Sequence, residues 1–315
     1  MANFAIVTDD PGWHGRVLRQ ALSEAGHSSR CLSLKSAGFS LEADGLPIQL
    51  EGFENRLPDG VFVRGVPGGS LEQVTLALDV LHGLKLSGVP VYNEARAIER
   101  TVDKAMTSFL LHRAGLPTPP VWITQDLAVA RQRILDELAK GQAVVSKPLF
   151  GSQGLGLRRY LRAEDLETLS EDQGVCYLQR YVDPGPVSHD YRVFVVAGRS
   201  VAAMRRTGLT WLNNVHQGAR CEAVSPSLQG LSTLAEAGVK VLEMNYAGVD
   251  IICDATGTPS ILEINSIPAW KGLQGVTEAS LAKLLVADFL QTAGQDTARP
   301  PAPAASCPLS AAVSP

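Results

Sequence analysis

The stretch Val249-Asp250-Ile251-Ile252-Cys253-Asp254-Ala255-Thr256-Gly257-Thr258-Pro259-Ser260-Ile261-Leu262-Glu263-Ile264-Asn265 reads as two short strands around a turn. A turn centred between Thr256 and Gly257 sets Asp250 opposite Glu263, because side chains alternate faces along a strand. Asn265, two residues on, falls on the same face. Val249, Ile251, Leu262 and Ile264 fall on the other face as a core-facing set. Carboxylates held directly opposite one another repel unless a cation lies between them. Two carboxylates and an amide on one face of a rigid hairpin are hard oxygen donors of the kind Mg²⁺ takes. The alternative is a solvated sheet face with loosely spaced acids.

A second hairpin precedes it. Arg192–Val196 and Ser200–Met204 flank Ala197-Gly198, a tight-turn signal. Asp190, Arg192, Arg205 and Arg206 sit near its open end, where an arginine can neutralise charge developing on a phosphoryl group. Ordinary surface arginines would give the same pattern. Further upstream, Val144-Val145-Ser146-Lys147-Pro148-Leu149-Phe150-Gly151-Ser152-Gln153-Gly154-Leu155-Gly156 places a lysine at a strand end before a Gly-rich turn. Glycines let backbone N–H groups approach a phosphate and the lysine adds a point charge, although no Walker A ending follows. A flexible hairpin turn with a solvated lysine is the other reading. His216, in the polar loop Trp211–Gly218, reads as a general-base candidate or as a loop histidine making structural hydrogen bonds.

Toward the N-terminus the pattern changes to alternating strand and helix. Phe4–Val7, Cys31–Leu34, Val61–Val63 and Val89–Tyr92 read as strands, and Gly15–Ala25 as a helix. Ser70 caps a further helix that runs to about Ser87 before Gly88. This is a small parallel βαβ sheet. The turn Thr8-Asp9-Asp10-Pro11-Gly12 lacks GxGxxG, so a dinucleotide-binding fold fails at its most diagnostic place. Helices are predicted over Asp103–Ala114, Asp126–Leu138, Leu228–Met244 and Glu278–Thr292. The Pro/Ala/Ser-rich stretch 294–315 is predicted to be a disordered tail.

Composition agrees with a packed, non-nucleic-acid protein. Of 315 residues 45% are hydrophobic and 19% charged, enough for two or three cored units. The 28 basic and 32 acidic residues give net charge −4, so no global positive field draws nucleic acid. No apolar run reaches the ~18–20 residues of a membrane span, and a cytoplasmic protein without membrane partners is expected. The five cysteines (Cys31, Cys176, Cys221, Cys253, Cys307) form no CxxC pair, and Cys31, Cys176 and Cys253 are expected as small buried residues.

Taken in order, these motifs resemble the ATP-grasp superfamily and, within it, the RimK-like α-L-glutamate ligases. The resemblance spans about Val61 to Leu290. It is carried by Ala97-Ile98-Glu99-Arg100-Thr101-Val102-Asp103-Lys104, Val145-Ser146-Lys147-Pro148, Asp190-Tyr191-Arg192-Val193-Phe194, Ala202-Ala203-Met204-Arg205-Arg206, Asn213-Asn214-Val215-His216 and Leu262-Glu263-Ile264-Asn265-Ser266. It implies an α/β (α+β) ATP-grasp fold: an N-terminal parallel βαβ domain (1–92), a central subdomain (93–182) and a C-terminal subdomain with the metal site (183–293), the last two gripping ATP.

The implied roles are these. Lys104 and Lys147 contact phosphates, with the loop of Gly151, Ser152, Gln153, Gly154 and Gly156 closing over them. Gln179, Arg180, Tyr181 and Val182 hold adenine, largely through backbone groups, and Asp190 meets the ribose. Arg206 is catalytic, facing the transferred phosphoryl group, and Asn213 and Asn214 line the phosphate site. Asp250, Glu263 and Asn265 bind Mg²⁺, with Mn²⁺ as an alternative. Arg64, Arg192, Ser266 and Trp270 are the substrate-contacting candidates.

Gln217 and Ala219 replace the Arg and second Gly of the usual His-Arg-Gly-Gly run. The segments Val63–Gln73 and Ala269-Trp270-Lys271-Gly272-Leu273 look closer to the tetrahydromethanopterin:glutamate ligases of methanogens and similar proteins of methylotrophic bacteria. The expectation is an ADP-forming ligase joining L-glutamate to a carboxylate acceptor, a pterin coenzyme, through an acyl phosphate. The rival readings are ligation to a protein or peptide C-terminus and a nucleotide-binding module without turnover. Homo-oligomer formation is left open.

Overall fold

Four parallel strands form the first sheet, with helices making the crossovers from the first strand to the second and from the third to the fourth. The computed structural model describes residues 1–42, 45–151, 154–169, 174–211 and 218–296. In chain order the first elements are β1 (Asn3–Val7), α1 (Gly12–Glu24), β2 (Ser28–Leu32), β3 (Gly38–Phe39), β4 (Ile48–Gln49), β5 (Val61–Val63), α2 (Leu71–Leu86) and β6 (Val91–Tyr92). The sheet order is β2-β1-β5-β6, all parallel. Helix α2 starts at the predicted cap: the Ser70 hydroxyl accepts from Gln73 N–H, and Gln73 Oε1 accepts from Ser70 N–H. The short β3–β4 hairpin carried no sequence signal.

Two helices follow, α3 (Ala95–Val102) and α4 (Lys104–Arg113). Sequence reading expected only the second. Asp103 separates them and caps α4, its Oδ1 accepting from Ala105 and Met106 N–H. The second sheet is antiparallel and uses β7 (Val121–Thr124), α5 (Leu127–Leu138), β8 (Val144–Lys147), β9 (Arg158–Tyr160) and β10 (Cys176–Arg180), in strand order β7-β10-β8-β9. It has its own core under α5, with Ala130, Ile134, Val144 and Tyr160 all at 0% exposure.

The third sheet carries the chemistry. It is built from β11 (His189–Val196), β12 (Arg199–Thr207), β13 (Arg220–Val224), α6 (Leu231–Val241), β14 (Tyr246–Cys253) and β15 (Pro259–Asn265), ordered β13-β12-β11-β14-β15 and antiparallel throughout. The β11–β12 turn puts Ala197 at φ +52° and Gly198 at φ +69°, the left-handed pair of a tight hairpin. The last described elements are α7 (Lys271–Gln274) and α8 (Leu281–Asp296). Helix α8 extends to Asp296, past the expected start of the tail. Its Phe289 packs in one apolar cluster with Phe4, Phe62, Tyr92, Phe194, Tyr246 and Trp270, so the first and third sheets share a core. Residues 297–315, Cys307 included, lie outside the described residues. Cys176 and Cys253 are buried as expected, whereas Cys31 is half-buried. No helix among the described residues is long and apolar enough to cross a membrane.

Candidate active site

Asp250 lies opposite Glu263 in the β14–β15 ladder, and Gly248 lies opposite Asn265. The register then shifts: Ile251 faces Ile261, not Leu262. An extra residue at this bulge turns Leu262 toward the cavity beside Ile252, and Ile261 (1% exposed) takes the core place expected of Leu262.

The cation that relieves Asp250 is arginine. Arg192 donates from Nε and Nη2 to both Asp250 oxygens at 2.7 and 2.6 Å, and Arg206 Nη2 lies 3.1 Å from Asp250 Oδ2. Arg206 also grips Asp190, with Nε and Nη2 at 2.7 and 2.8 Å from its two oxygens. Asp190, Arg206, Asp250 and Arg192 thus form a chain of alternating charge with the first three buried. Burial pushes the Asp190 carboxyl up to about 6 against the pull of Arg206. Burial opposes charge on Asp250 too, but Arg192 and Arg206 outweigh it and hold the group below the usual carboxylate range. Both Asp190 oxygens are occupied by Arg206, so the carboxylate is built here as the partner of that arginine.

Glu263 is different. Its side chain makes no hydrogen bond or ion pair with another described residue, and the nearby positive charge comes from Lys104 and Lys147, whose ammonium groups its charge supports. Burial lowers both lysines' pKa values, and their charge is favoured by an anion beside them. Among the described residues no three His, Cys, Asp or Glu side chains gather as a metal cluster. The set Asp250, Glu263 and Asn265 is two carboxylates and an amide. It fits Mg²⁺, because Glu263 is uncommitted and Asp250 Oδ1, which accepts one hydrogen bond, keeps a lone pair.

A cavity of about 770 Å³ runs from this cluster to the second sheet. One end is walled by Val145, Met204, Ile252 and Leu262 and edged by Gln179, Arg180, Tyr181 and Val182. The N–H groups of Arg180 and Tyr181 are engaged by the Pro120 and Ala143 carbonyls at 2.9 and 2.8 Å. Val182 N–H, at the cavity edge, makes no hydrogen bond to another described residue. The Arg180 side chain turns to Glu137 of α5, Nε and Nη2 reaching Oε2 at 2.9 and 2.6 Å. Glu137 (1% exposed) carried no sequence signal because its partner lies on another element. Glu137→Ala leaves Arg180 unpaired and is expected to cost about 1–2 kcal/mol, read as a lower urea midpoint at unchanged slope. Lys147 and Gly154 line the cavity. Lys104 stands beside it, its Nζ donating to the Gly151 carbonyl at 2.7 Å. Gly156 takes φ +74° against Pro148. Ser152, Gln153, Asn213, Asn214 and His216 lie outside the described residues.

Residues 101–289 match the RimK-like ATP-grasp domain family. The chain belongs to the RimK-like ATP-grasp family. It is 31% identical over 308 residues, 85% of this chain and 92% of the relative, to the tetrahydromethanopterin:alpha-L-glutamate ligase of Methanosarcina acetivorans. The protein of the same name from Methanococcus maripaludis is 34% identical over 215 residues, 65% of this chain and 70% of that one. The ATP-grasp ligase PsnB, solved with a phosphomimetic variant of its minimal precursor, Mg and ADP, superposes with TM-score 0.72 at 23% identity, covering 92% of this chain and 98% of that one. That likeness is one of fold.

Within this RimK-like ATP-grasp chain, three of the substrate candidates stand outside the cavity lining. Trp270 is fully buried in the shared core, because the residues after β15 fold back onto the first sheet. Arg64 stacks on the Trp270 ring, 4.5 Å from its centroid, and Nη1 donates to the Pro268 carbonyl at 3.0 Å. Ser266 is buried, its Oγ accepting from Thr101 at 2.7 Å and its carbonyl accepting from Asn93 at 2.8 Å. Arg192 alone of the four lines the cavity.

His14 braces the same loop, Nε2 accepting from Trp270 N–H at 3.1 Å. Burial, with Arg64 and Lys271 nearby, lowers its pKa from 6.5 to about 4. The folded value lies below the unfolded one, so the stability His14 contributes is full above about pH 6.5 and is lost as pH falls toward 4. Asp190, raised to about 6, shifts stability the opposite way over part of that range, so the contrast with a variant isolates the histidine. The stability difference between wild type and His14→Gln, followed by urea unfolding from pH 4 to 7.5, is expected to shrink on acidification. A constant difference contradicts the assignment.

Proposed function

We propose that this protein is an ATP- and Mg²⁺-dependent carboxylate–amine ligase that joins L-glutamate to the carboxylate of a small pterin-type coenzyme. The observation that carries the reading is the meeting of Arg206, Asp250, Glu263 and Lys147 on one cavity wall, beyond an apolar end edged by Gln179–Val182. The named relatives supply the glutamate and the pterin.

Apolar walls and Val182 N–H hold the base, and Lys104 and Lys147 hold phosphate oxygens. Asp250, Glu263 and Asn265 would hold Mg²⁺, which supplies charge neutralisation across the transferring phosphates. Arg206, fixed by Asp190, directs its guanidinium at the same place and loses little entropy in doing so. Arg192 can exchange Asp250 for a substrate carboxylate. The acceptor carboxylate oxygen attacks the γ-phosphorus, and ADP leaves. The glutamate amine then attacks the acyl carbon, releasing phosphate and a proton to give the amide. Enclosure between the two sheets limits access of water to the acyl phosphate.

Hydroxylamine offered in place of glutamate tests the intermediate. With ATP, Mg²⁺ and a tetrahydromethanopterin-type acceptor, a hydroxamate and ADP are expected in equal amounts. ADP without hydroxamate contradicts the acyl-phosphate route.

A further inference from the structure

We propose that Arg159 is a positioning residue that clamps the second sheet to the end of the third and so holds nucleotide in the cavity; the proposal rests on the nucleotide reading above. Arg159 lies on β9 opposite Val145, one of the cavity walls. Its guanidinium carbon sits 5.1 Å from the centroid of Tyr181 and 5.2 Å from that of Trp211. The two rings meet edge to face, 6.3 Å between centroids and 77° between planes. Tyr181 follows β10 of the second sheet, Trp211 lies four residues beyond β12 of the third, and both line the cavity.

The clamp therefore joins two bodies of different build. The second sheet is cored on its own helix α5, whereas the third shares its core with the first sheet. A cavity between two separately cored sheets opens when they part. A guanidinium between aromatic rings from each opposes parting. Arg159 and Tyr181 stay together on the second sheet, so opening breaks the Arg159–Trp211 and Tyr181–Trp211 contacts, and the arginine acts on the equilibrium between closed and open states without touching a reacting atom. The one cation–π contact that spans the two sheets, Arg159 on Trp211, amounts to a shift of up to about tenfold in that equilibrium. Nucleotide leaves from the open state, so the effect falls on dissociation.

Stopped-flow fluorescence with mant-ATP and Mg²⁺ tests this on wild type, Arg159→Leu, Arg159→Lys, Trp211→Leu and the Arg159→Leu/Trp211→Leu double variant. Dissociation is expected to be about tenfold faster in Arg159→Leu and in Trp211→Leu, with association changed less than about twofold. The double variant is expected to be no faster than Trp211→Leu, because that substitution already removes the contact Arg159 makes across the seam. Arg159→Lys, which keeps a cation, is expected to recover most of the wild-type rate. A wild-type dissociation rate in Arg159→Leu, or additive effects in the double variant, overturns the clamp. Should Arg159→Leu not fold, Trp211→Leu and Arg159→Lys carry the same comparison. Failure of the wild-type protein to bind mant-ATP strikes the nucleotide reading itself, and the clamp falls with it.

Discussion

Arg206→Ala is expected to lower stability by about 3–5 kcal/mol and to reduce ligation at least about 10³-fold. Both effects come from the same geometry. Arg206 is 5% exposed and stands between Asp190 and Asp250, so its removal leaves two buried carboxylates with one arginine, Arg192, which pairs with Asp250 and leaves Asp190 without its ion-pair partner. The motif alone suggests a loss of activity with little else. The burial adds the stability loss, read as a lower urea midpoint. Arg206→Lys keeps the charge but not the planar fork that spans two carboxylates, so its stability is expected to fall between wild type and Arg206→Ala, with activity still strongly reduced. Wild-type stability in Arg206→Ala would show that the buried pairs do not form. Comparable losses in ATP affinity and in activity would contradict a role in the transferred phosphoryl group's transition state.

Glu263→Gln is expected to behave in the opposite way. The Glu263 side chain has no hydrogen-bond or ion-pair partner among the described residues to abandon, so the unfolding midpoint should stay within about 0.5 kcal/mol of wild type. Activity should fall about 10²–10³-fold, as when one electrostatic group is withdrawn from a developing charge. The decisive readout is binding of a non-hydrolysable ATP analogue with and without Mg²⁺. Removing a negative charge near Lys104 and Lys147 should preserve or tighten metal-free binding. The gain on adding Mg²⁺ should largely disappear. An unchanged Mg²⁺ dependence removes Glu263 from the metal site.

The contrast between these two carboxylate neighbourhoods also marks how far the sequence could be read. The Asp250–Glu263 pairing was legible because a period of two survives any error in the turn's exact centre, provided a bulge compensates. One does: the inner half of the hairpin pairs Ile251 with Ile261, and the extra residue restores Asp250 to Glu263. The same compensation hid Leu262, whose face cannot be read without knowing where the bulge falls. In the β11–β12 hairpin a bulge shifts the ladder again, so that Asp190 faces Arg206, not Arg205.

Local signals were dependable where the physics is local. Ser70 and Gln73 cap α2 within one turn, and Ala197-Gly198 makes a two-residue turn. Partners distant in sequence were not legible. Arg192 reaches Asp250 because β11 and β14 are neighbours in the sheet, and Glu137 reaches Arg180 from a helix. Trp270, expected as a substrate-contacting candidate, packs in the core against Arg64, His14 and Phe194.

The central claim is the transfer of glutamate to a coenzyme carboxylate. Its most direct test is mass spectrometry of reactions with ATP, Mg²⁺ and isotopically labelled L-glutamate, offered separately a reduced tetrahydromethanopterin-type pterin and a cytosolic protein fraction. The pterin is expected to gain the mass of one or more labelled glutamyl residues, with one ADP formed per residue added. Label found only in protein, or ADP formed with no label in either acceptor, contradicts it.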